Sequence, residues 1–190
     1  MDLFKDLLSG DCIIPSVTSV EELNFFLKRT QHIWVCLKMG DINSLVSIIS
    51  TIHKYDRKVL LHLDSVKGIS KDKEGIRWLK RIGTDAVITM KSQHIKMIRE
   101  QNLYAILGSF IVDSASVNQT VQNIRTNKPD AVLIMPMSIP HDAYEILLAE
   151  HTCILAGGLG TEHSIIQQSL DSGACACVVT DRKRITEEYL

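Results

Sequence analysis

Three ionisable residues follow strand-like segments at positions where they could meet. His62 and Asp64 alternate at the end of the segment 58–64, and Lys91 follows the next such segment, 85–90. Alternate residues on a strand share a face, so we expect His62 and Asp64 to point into one space with Lys91 on the adjacent rim. A base, a carboxylate and an amine together could activate a carbonyl or bind a polar ligand. The plainer alternatives are a core histidine and a structural ion pair.

A pair of glycines, Gly157 and Gly158, follows another strand-like segment, 152–156, and precedes a helical pattern that begins near Thr161. Glycine lets backbone N–H groups approach an anion, and a helix N-terminus favours negative charge. The pattern therefore predicts a phosphate-binding loop. The alternative is a tight turn that needs glycine only for its dihedral angles.

The elements that must position these residues repeat along the chain. Eight apolar, β-branched segments alternate with helical patterns, which indicates parallel βαβ units and predicts a single-domain (β/α)8 TIM-type barrel over residues 1–190. The strand centres are expected near Cys12, Trp34, Leu60, Val87, Ala105, Val132, Ile154 and Cys175. Because such barrels usually need about 200 residues or more, helices and loops should be minimal. Binding residues are then expected at the carboxyl ends of the strands.

Alternation predicts which side chains enter the barrel. In the third strand we expect Leu60, His62 and Asp64 to face inward. In the fourth strand we expect the odd-numbered residues to face inward, namely Val87, Thr89 and Lys91. The even-numbered residues should face the helices, namely Ala86, Ile88 and Met90. The histidines other than His62 are expected at surface or helix positions.

Composition excludes several classes of protein. The chain has 190 residues, a formal net charge of −1 and 45% hydrophobic residues, as expected for a soluble globular protein. It shows no apolar run long enough to span a membrane and no signal peptide, so we expect a cytoplasmic location. Five cysteines without a CxxC pair indicate reduced thiols rather than a disulfide framework or a zinc site.

Charge is uneven along the chain. Between Ser65 and Glu100 there are nine Lys or Arg and four acidic residues, a local excess of +5. This excess fits either a nucleic-acid footprint or two solvated helix faces. Only one aromatic residue, Trp78, lies among these charges, so no stacking platform for single strands is expected.

The segment His62–Asp72, with the sequence HLDSVKGISKD, resembles the glycerol-3-phosphate-responsive antiterminators, the regulators of glycerol uptake operons. Further segments fit the family in order: 13–15, 40–42, 89–92, 113–114, 128–130, 156–159 and 173–174. The resemblance implies a barrel-shaped regulator that binds sn-glycerol 3-phosphate and acts on leader mRNA to prevent termination. We predict no catalytic residues, no cofactor and no metal.

With this resemblance we assign two sets of residues. The predicted ligand-binding set is His62, Asp64, Lys91, Gly157, Gly158 and Thr180. The predicted RNA-binding set is Lys67, Lys71, Lys73, Arg182 and Lys183. For Arg182 and Lys183, the alternative is a solvated start of the last helix.

The chain departs from the family on the ligand side. Where the family carries Ser-Thr-Ser after the eighth strand, this chain has Val178, Val179 and Thr180, and where it carries Gln-Arg near the fifth strand, this chain has Leu107 and Gly108. Met135-Pro136-Met137 replaces Leu-Pro-Gly, and Asp181 stands beside the expected phosphate site. A like-charge pair at roughly 5 Å costs about 3 kcal/mol at an effective dielectric near 20.

These departures leave two alternatives to a ligand-responsive regulator. One is a paralogue that keeps the barrel without ligand response. The other is a small enzyme that isomerises, epimerises or cleaves a sugar phosphate, with His62, Asp64 and Lys91 as its reactive groups. Against the enzyme stand the missing second inward carboxylate and the lack of space for a lid.

Overall fold

The computed structural model describes residues 3–8 and 10–186 and confirms the predicted barrel. Eight parallel strands close in chain order, each pairing with its sequence neighbour, and β1 pairs with β8. The strands are β1 (Ile13–Val17), β2 (Trp34–Leu37), β3 (Lys58–His62), β4 (Ala86–Thr89), β5 (Tyr104–Phe110), β6 (Ala131–Met135), β7 (Cys153–Gly157) and β8 (Ala176–Val179). The carboxyl ends of all eight strands therefore surround one mouth.

Helices alternate with the strands around the outside. They are α1 (Leu3–Leu8), α2 (Val20–Arg29), α3 (Leu45–Lys54), α4 (Lys73–Arg81), α5 (Gln93–Glu100), α6 (Ser114–Asn127), α7 (His141–Leu148), α8 (His163–Asp171) and α9 (Arg182–Ile185). α1 precedes the barrel, and its buried Phe4 packs on Trp34 and Tyr104, with ring centroids 5.4 and 5.6 Å apart. None of the helices in the described part of the chain is long and apolar enough to cross a membrane.

The core has two layers, as the strand pattern requires. Inside the barrel, side chains from every strand meet, among them Ile14, Cys36, Leu60, Ile106, Leu133, Leu155 and Val178. Between strands and helices lies a larger layer that includes Val35, Leu61, Ile76 and Ile95. The five cysteines are thiols, as predicted, although Cys12 and Cys175 lie just before their strands rather than in them.

The predicted facing of the fourth strand is wrong. Ala86 and Ile88 lie inside the barrel, whereas Val87 packs in the outer layer. The register pairs Leu60 with Ala86 and His62 with Ile88. Neighbours paired across a sheet share a face, so the inward face of β3 fixes that of β4.

Candidate functional site

A cluster of polar side chains at the barrel mouth surrounds Asp64. β3 ends at His62, and a single 3-10 turn, Leu63–Ser65, carries Asp64 away from the strand. One carboxylate oxygen accepts a hydrogen bond from Lys71 Nζ at 2.7 Å, and the other accepts one from the Met90 backbone N–H at 3.1 Å. The carboxylate therefore ties the loop after β3 to the end of β4.

The expected ion pair between Asp64 and Lys91 does not form, because Lys71 pairs with Asp64 instead. Lys91 is exposed at the start of the loop after β4, and its charge acts on His94. This follows from the facing of β4, which turns the odd-numbered side chains outward. The enzyme alternative thereby loses the pairing of Asp64 with Lys91 that was expected at its site.

His62 lies on the inward face of β3 and is half-buried. Its Nδ1 lies 2.9 Å from Ser65 Oγ. Burial lowers the pKa of His62, and the Lys38 ammonium lowers it further against the opposing effect of Asp64. The imidazole is therefore neutral near pH 7 and can exchange hydrogen bonds with a ligand.

The charge of Asp64 is also set by its surroundings. Burial alone would raise the pKa of Asp64, but the hydrogen bonds from Lys71 and from the Met90 N–H outweigh it, and the pKa lies below its ordinary value. Asp64 is thus an ionised acceptor whose partners are already in place.

Lys38 belongs to this cluster and was missed from the sequence. It directly follows β2, and by alternation it continues the inward face of Cys36. Its charge acts on His62 from the strand next to β3. The signal in the sequence was its position two residues after an inward cysteine.

Gly157 and Gly158 lie on the other side of the mouth, at the end of β7, four strands around the barrel from β3. A Cβ on Gly157 would approach Leu133 Cδ1 to 3.0 Å, and Gly158 has a φ of +76°. Both glycines are therefore explained in part by packing and backbone conformation. The helix that follows, α8, begins after Glu162, whose side chain makes no capping hydrogen bond.

The departures from the family pattern have distinct structural roles. Val178 faces the barrel interior, whereas Val179 packs against the helices and so lies away from the mouth. Thr180 is exposed just past β8. Asp181 caps α9, where its carboxylate accepts hydrogen bonds from the N–H groups of Lys183 and Arg184. The Asp181 carboxylate therefore satisfies the first backbone N–H groups of α9.

Gly108 lies where the barrel is filled by a neighbouring side chain. A Cβ at Gly108 would lie 2.3 Å from Met90 Sδ. The half-buried Met90 thus occupies the space into which a longer side chain at position 108 would extend. Met90 can face inward here because position 108 is a glycine and has no side chain.

All the predicted RNA-binding residues lie at the same end of the barrel as the ligand candidates. Lys67, Lys71 and Lys73 are exposed in or just after the loop that follows β3, and Arg182 and Lys183 begin α9 after β8. Arg182 stacks over the Phe25 ring, with its guanidinium carbon 5.2 Å from the ring centroid. The two predicted sets therefore share one face.

The loop after β3 is held in place by its neighbours. Ile42 N donates to Lys67 O at 3.1 Å, and Lys67 N donates to Gly40 O at 3.2 Å. These bonds make a parallel bridge between Asp41 and Lys67. The loop that carries the predicted RNA-binding lysines is thereby joined to the loop after β2.

Several histidines that were expected at surface or helix positions make hydrogen bonds in the structure. Two of them, His94 and His32, are also buried or half-buried. His94 is 5% exposed, and its Nδ1 lies 3.0 Å from Thr89 Oγ1. His32 lies between Asp11 and the Ile185 carbonyl. Among the described residues, no group of three or more His, Cys, Asp or Glu is arranged to hold a metal ion.

Comparison with known proteins identifies a family and several similar solved structures. Residues 13–184 match the family model of the glycerol-3-phosphate responsive antiterminators. The glycerol uptake operon antiterminator regulatory protein of Listeria monocytogenes superposes with a TM-score of 0.83 at 25% identity, over 90% of this chain and 92% of that one. A related protein of Thermotoga maritima gives 0.80 at 19% identity, over 92% and 98%.

The chain is also 24% identical over 149 residues to YgcP of Escherichia coli K12, described as an uncharacterized protein. The match covers 78% of each chain.

Proposed function

This chain belongs to the family of glycerol-3-phosphate responsive antiterminators, and from that premise we propose that it binds leader mRNA in response to sn-glycerol 3-phosphate or a related small phosphate. The family match carries this proposal, because residues 13–184 include every predicted ligand-binding and RNA-binding residue. It is a family of regulators, which agrees with the prediction of a non-enzymatic protein. We further propose that the protein acts in the cytoplasm, where leader mRNA is made.

The ligand binds across the mouth of the barrel. Its hydroxyl groups meet the ionised Asp64 and the neutral His62, which provide an acceptor and an adaptable partner. Lys38 and Lys91 add positive charge on this side and attract an anion. The phosphate group meets the backbone of Gly157 and Gly158 and the N-terminus of α8, with Thr180 as a hydroxyl donor.

RNA binds on the same face through phosphate contacts. Lys67, Lys71 and Lys73 on one side and Arg182 and Lys183 on the other provide exposed cations around the mouth. Phosphate contacts release counterions, so binding should weaken steeply as salt rises.

Lys71 connects the two activities. Its ammonium pairs with Asp64 at 2.7 Å in the structure, yet it is also a predicted RNA contact. A ligand that engages Asp64 competes for this carboxylate and changes what Lys71 offers to an RNA phosphate. Ligand and RNA are then linked energetically, and each must alter the affinity for the other by the same factor.

The experiment is a titration of the leader RNA of the glycerol uptake operon at two salt concentrations, with and without sn-glycerol 3-phosphate. The Lys67→Gln/Lys73→Gln variant should weaken binding and reduce the salt slope by about two, one for each lost phosphate contact. The Lys28→Gln/Lys54→Gln variant is a matched control, because both lysines lie in the last turns of their helices at the other end of the barrel. An RNA affinity that changes neither with salt concentration nor with sn-glycerol 3-phosphate would reject the proposed function.

Calorimetry without RNA tests the ligand separately. Asp64→Asn keeps an acceptor for the Met90 N–H but removes the charge, and it should weaken binding of sn-glycerol 3-phosphate roughly tenfold or more. Asp113→Asn is the control, since asparagine preserves the cap of α6. Salt-dependent RNA binding together with no heat from the ligand would identify the regulator as ligand-blind.

A further inference from the structure

The outer face of α6 differs from an ordinary solvated helix surface. No charged residue occurs between Ser114 and Ile124. The most outward positions are Ala115, Gln119, Gln122 and Thr126, all exposed and all uncharged. Their spacing of four, three and four residues places them on one stripe, the spacing found along the seam of paired helices. A scarcity of charged residues at the centre of a surface patch is typical of protein interfaces.

An apolar groove adjoins this stripe between α6 and α7. It has a volume of about 380 Å³, and its walls include Val112, Pro140 and Ile146. Val112 is 79% exposed and Ile146 is 48% exposed. The rim of the groove carries two acidic residues, Asp113 and Asp142. The groove therefore offers apolar area to a partner that brings positive charge.

The opposite end of α6 supplies that charge. Arg125 and Lys128 are exposed at and just after its last turn. Arg125 pairs with Glu150 at 2.7 Å, but its side chain remains 61% exposed. The helix is thus acidic at its start, uncharged along its middle and basic at its end.

We propose that α6 and the adjoining groove form a two-fold interface with a second copy of this chain, in which the two α6 helices run antiparallel. A two-fold axis between positions 119 and 122 sets Gln119 against Gln122 of the second copy and Ala115 against its Thr126. The same operation brings the acidic rim of one copy, at Asp113, to the basic end of the other. The antiparallel arrangement also opposes the helix dipoles favourably.

The stems of the basic side chains complete the contact. Arg125 and Lys128 have long aliphatic portions that can cover apolar surface while the charged ends reach the acidic rim. In the dimer these stems lie over Val112 and Ile146 of the second copy. The stripe runs along the outer side of α6, and the groove lies beside the loops that follow β5 and β6. The interface includes none of the predicted ligand-binding or RNA-binding residues, so it goes beyond the proposed function and can be tested independently of it.

The test is the molar mass of the full-length chain in solution, measured by light scattering or sedimentation over a range of concentrations. The wild-type chain should dimerise. Gln119→Glu/Gln122→Glu places like charges in contact across the axis and should raise the dissociation constant roughly tenfold or more. Gln119→Glu/Gln122→Lys places opposite charges in contact and should keep the dimer, although both variants change the same two exposed positions.

Two controls make the outcome specific. Ser47→Glu/Ser50→Glu places the same pair of charges, three residues apart, on the exposed side of α3 and should leave the mass unchanged. Circular dichroism should show that all variants are folded. A monomeric wild-type chain, or a dimer that Gln119→Glu/Gln122→Glu leaves intact, would overturn the interface. A dimer that both α6 variants break equally would overturn the antiparallel arrangement.

Discussion

The close approach between Gly108 and Met90 gives a quantitative prediction. In Gly108→Ala, the new Cβ would lie 2.3 Å from Met90 Sδ and 3.3 Å from Met90 Cε, whereas the nearest backbone atom, Thr89 O, is 3.6 Å away. The obstruction is therefore a flexible side chain that must move, and overpacking of this kind costs about 1–3 kcal/mol. Replacing a strand glycine with alanine returns about 0.5–1 kcal/mol of backbone entropy.

Removing Met90 removes the obstruction. Met90→Ala alone should destabilise the protein by about 2 kcal/mol, the low end for truncation of a methionine, because Met90 is only half-buried. In that background Gly108→Ala should be neutral or stabilising. The two substitutions should therefore couple favourably by about 1–3 kcal/mol in a double-mutant cycle.

The assay is equilibrium unfolding in urea for the wild type, both single variants and the double variant. Gly10→Ala, whose new Cβ would have no other atom within 4 Å, serves as the uncoupled partner for Met90→Ala. Free energies that add within about 0.5 kcal/mol at positions 90 and 108 would refute the packing argument.

The same pair bears on ligand binding. Gly108→Arg/Met90→Ala makes room for a guanidinium at the position where the family carries arginine, and a charge-assisted contact to phosphate should tighten binding of sn-glycerol 3-phosphate roughly tenfold. Gly108→Arg alone should bind no better than wild type, because Met90 occupies the space that the arginine side chain needs. Equal affinities for the single and double variants, measured by calorimetry, would contradict this explanation.

Three predictions concern stability. Burial alone would lower the pKa of His32, but its hydrogen bonds to Asp11 and the Ile185 carbonyl raise it above 6.5. The stability that the imidazolium provides is present below about pH 6.5 and is lost as pH rises through the higher folded pKa. The free energy of unfolding in urea should therefore exceed that of His32→Gln by more at about pH 5.5 than at about pH 9. Asp72→Ala should cost about 1 kcal/mol in the same assay and Asp72→Asn much less, because Asp72 caps α4 through the Gly75 N–H. Gly75→Ala should lower the melting temperature despite the helix preference for alanine, since its Cβ would lie 1.7 Å from the Ser70 carbonyl oxygen; an unchanged or raised value would be inconsistent with that contact.

The barrel could be predicted from the sequence because its signal is repeated. Eight alternations of strand and helix leave few other topologies, and β3 also revealed its facing, since the polar His62 follows Leu60 on the same side. β4 gave no such information. Its residues Ala86–Thr89 are all buried, so alternation had no polar residue to mark the inward face. The facing of β4 came from its register with β3, which is a tertiary property.

The candidate site was likewise predicted only in part from the sequence, because the rest depends on tertiary contacts. The sequence identified His62 and Asp64, but it paired Asp64 with Lys91 from the adjacent strand rather than with Lys71 from its own loop. The path of the ten-residue loop that carries Lys71, between β3 and α4, depends on hydrogen bonds that no sequence pattern predicts. The burial of His94 by Thr89 likewise depended on the facing of β4.

The bridge between Asp41 and Lys67 gives the mouth a mechanical property. Two backbone hydrogen bonds join the loops after β2 and β3, while the side chain of Asp64 anchors the second loop to Met90, just past the end of β4. Displacement of any one of these three segments must strain the other two. A small molecule that contacts only one of these strand ends would thus shift the loops along about a third of the barrel circumference. The strands themselves would not need to move.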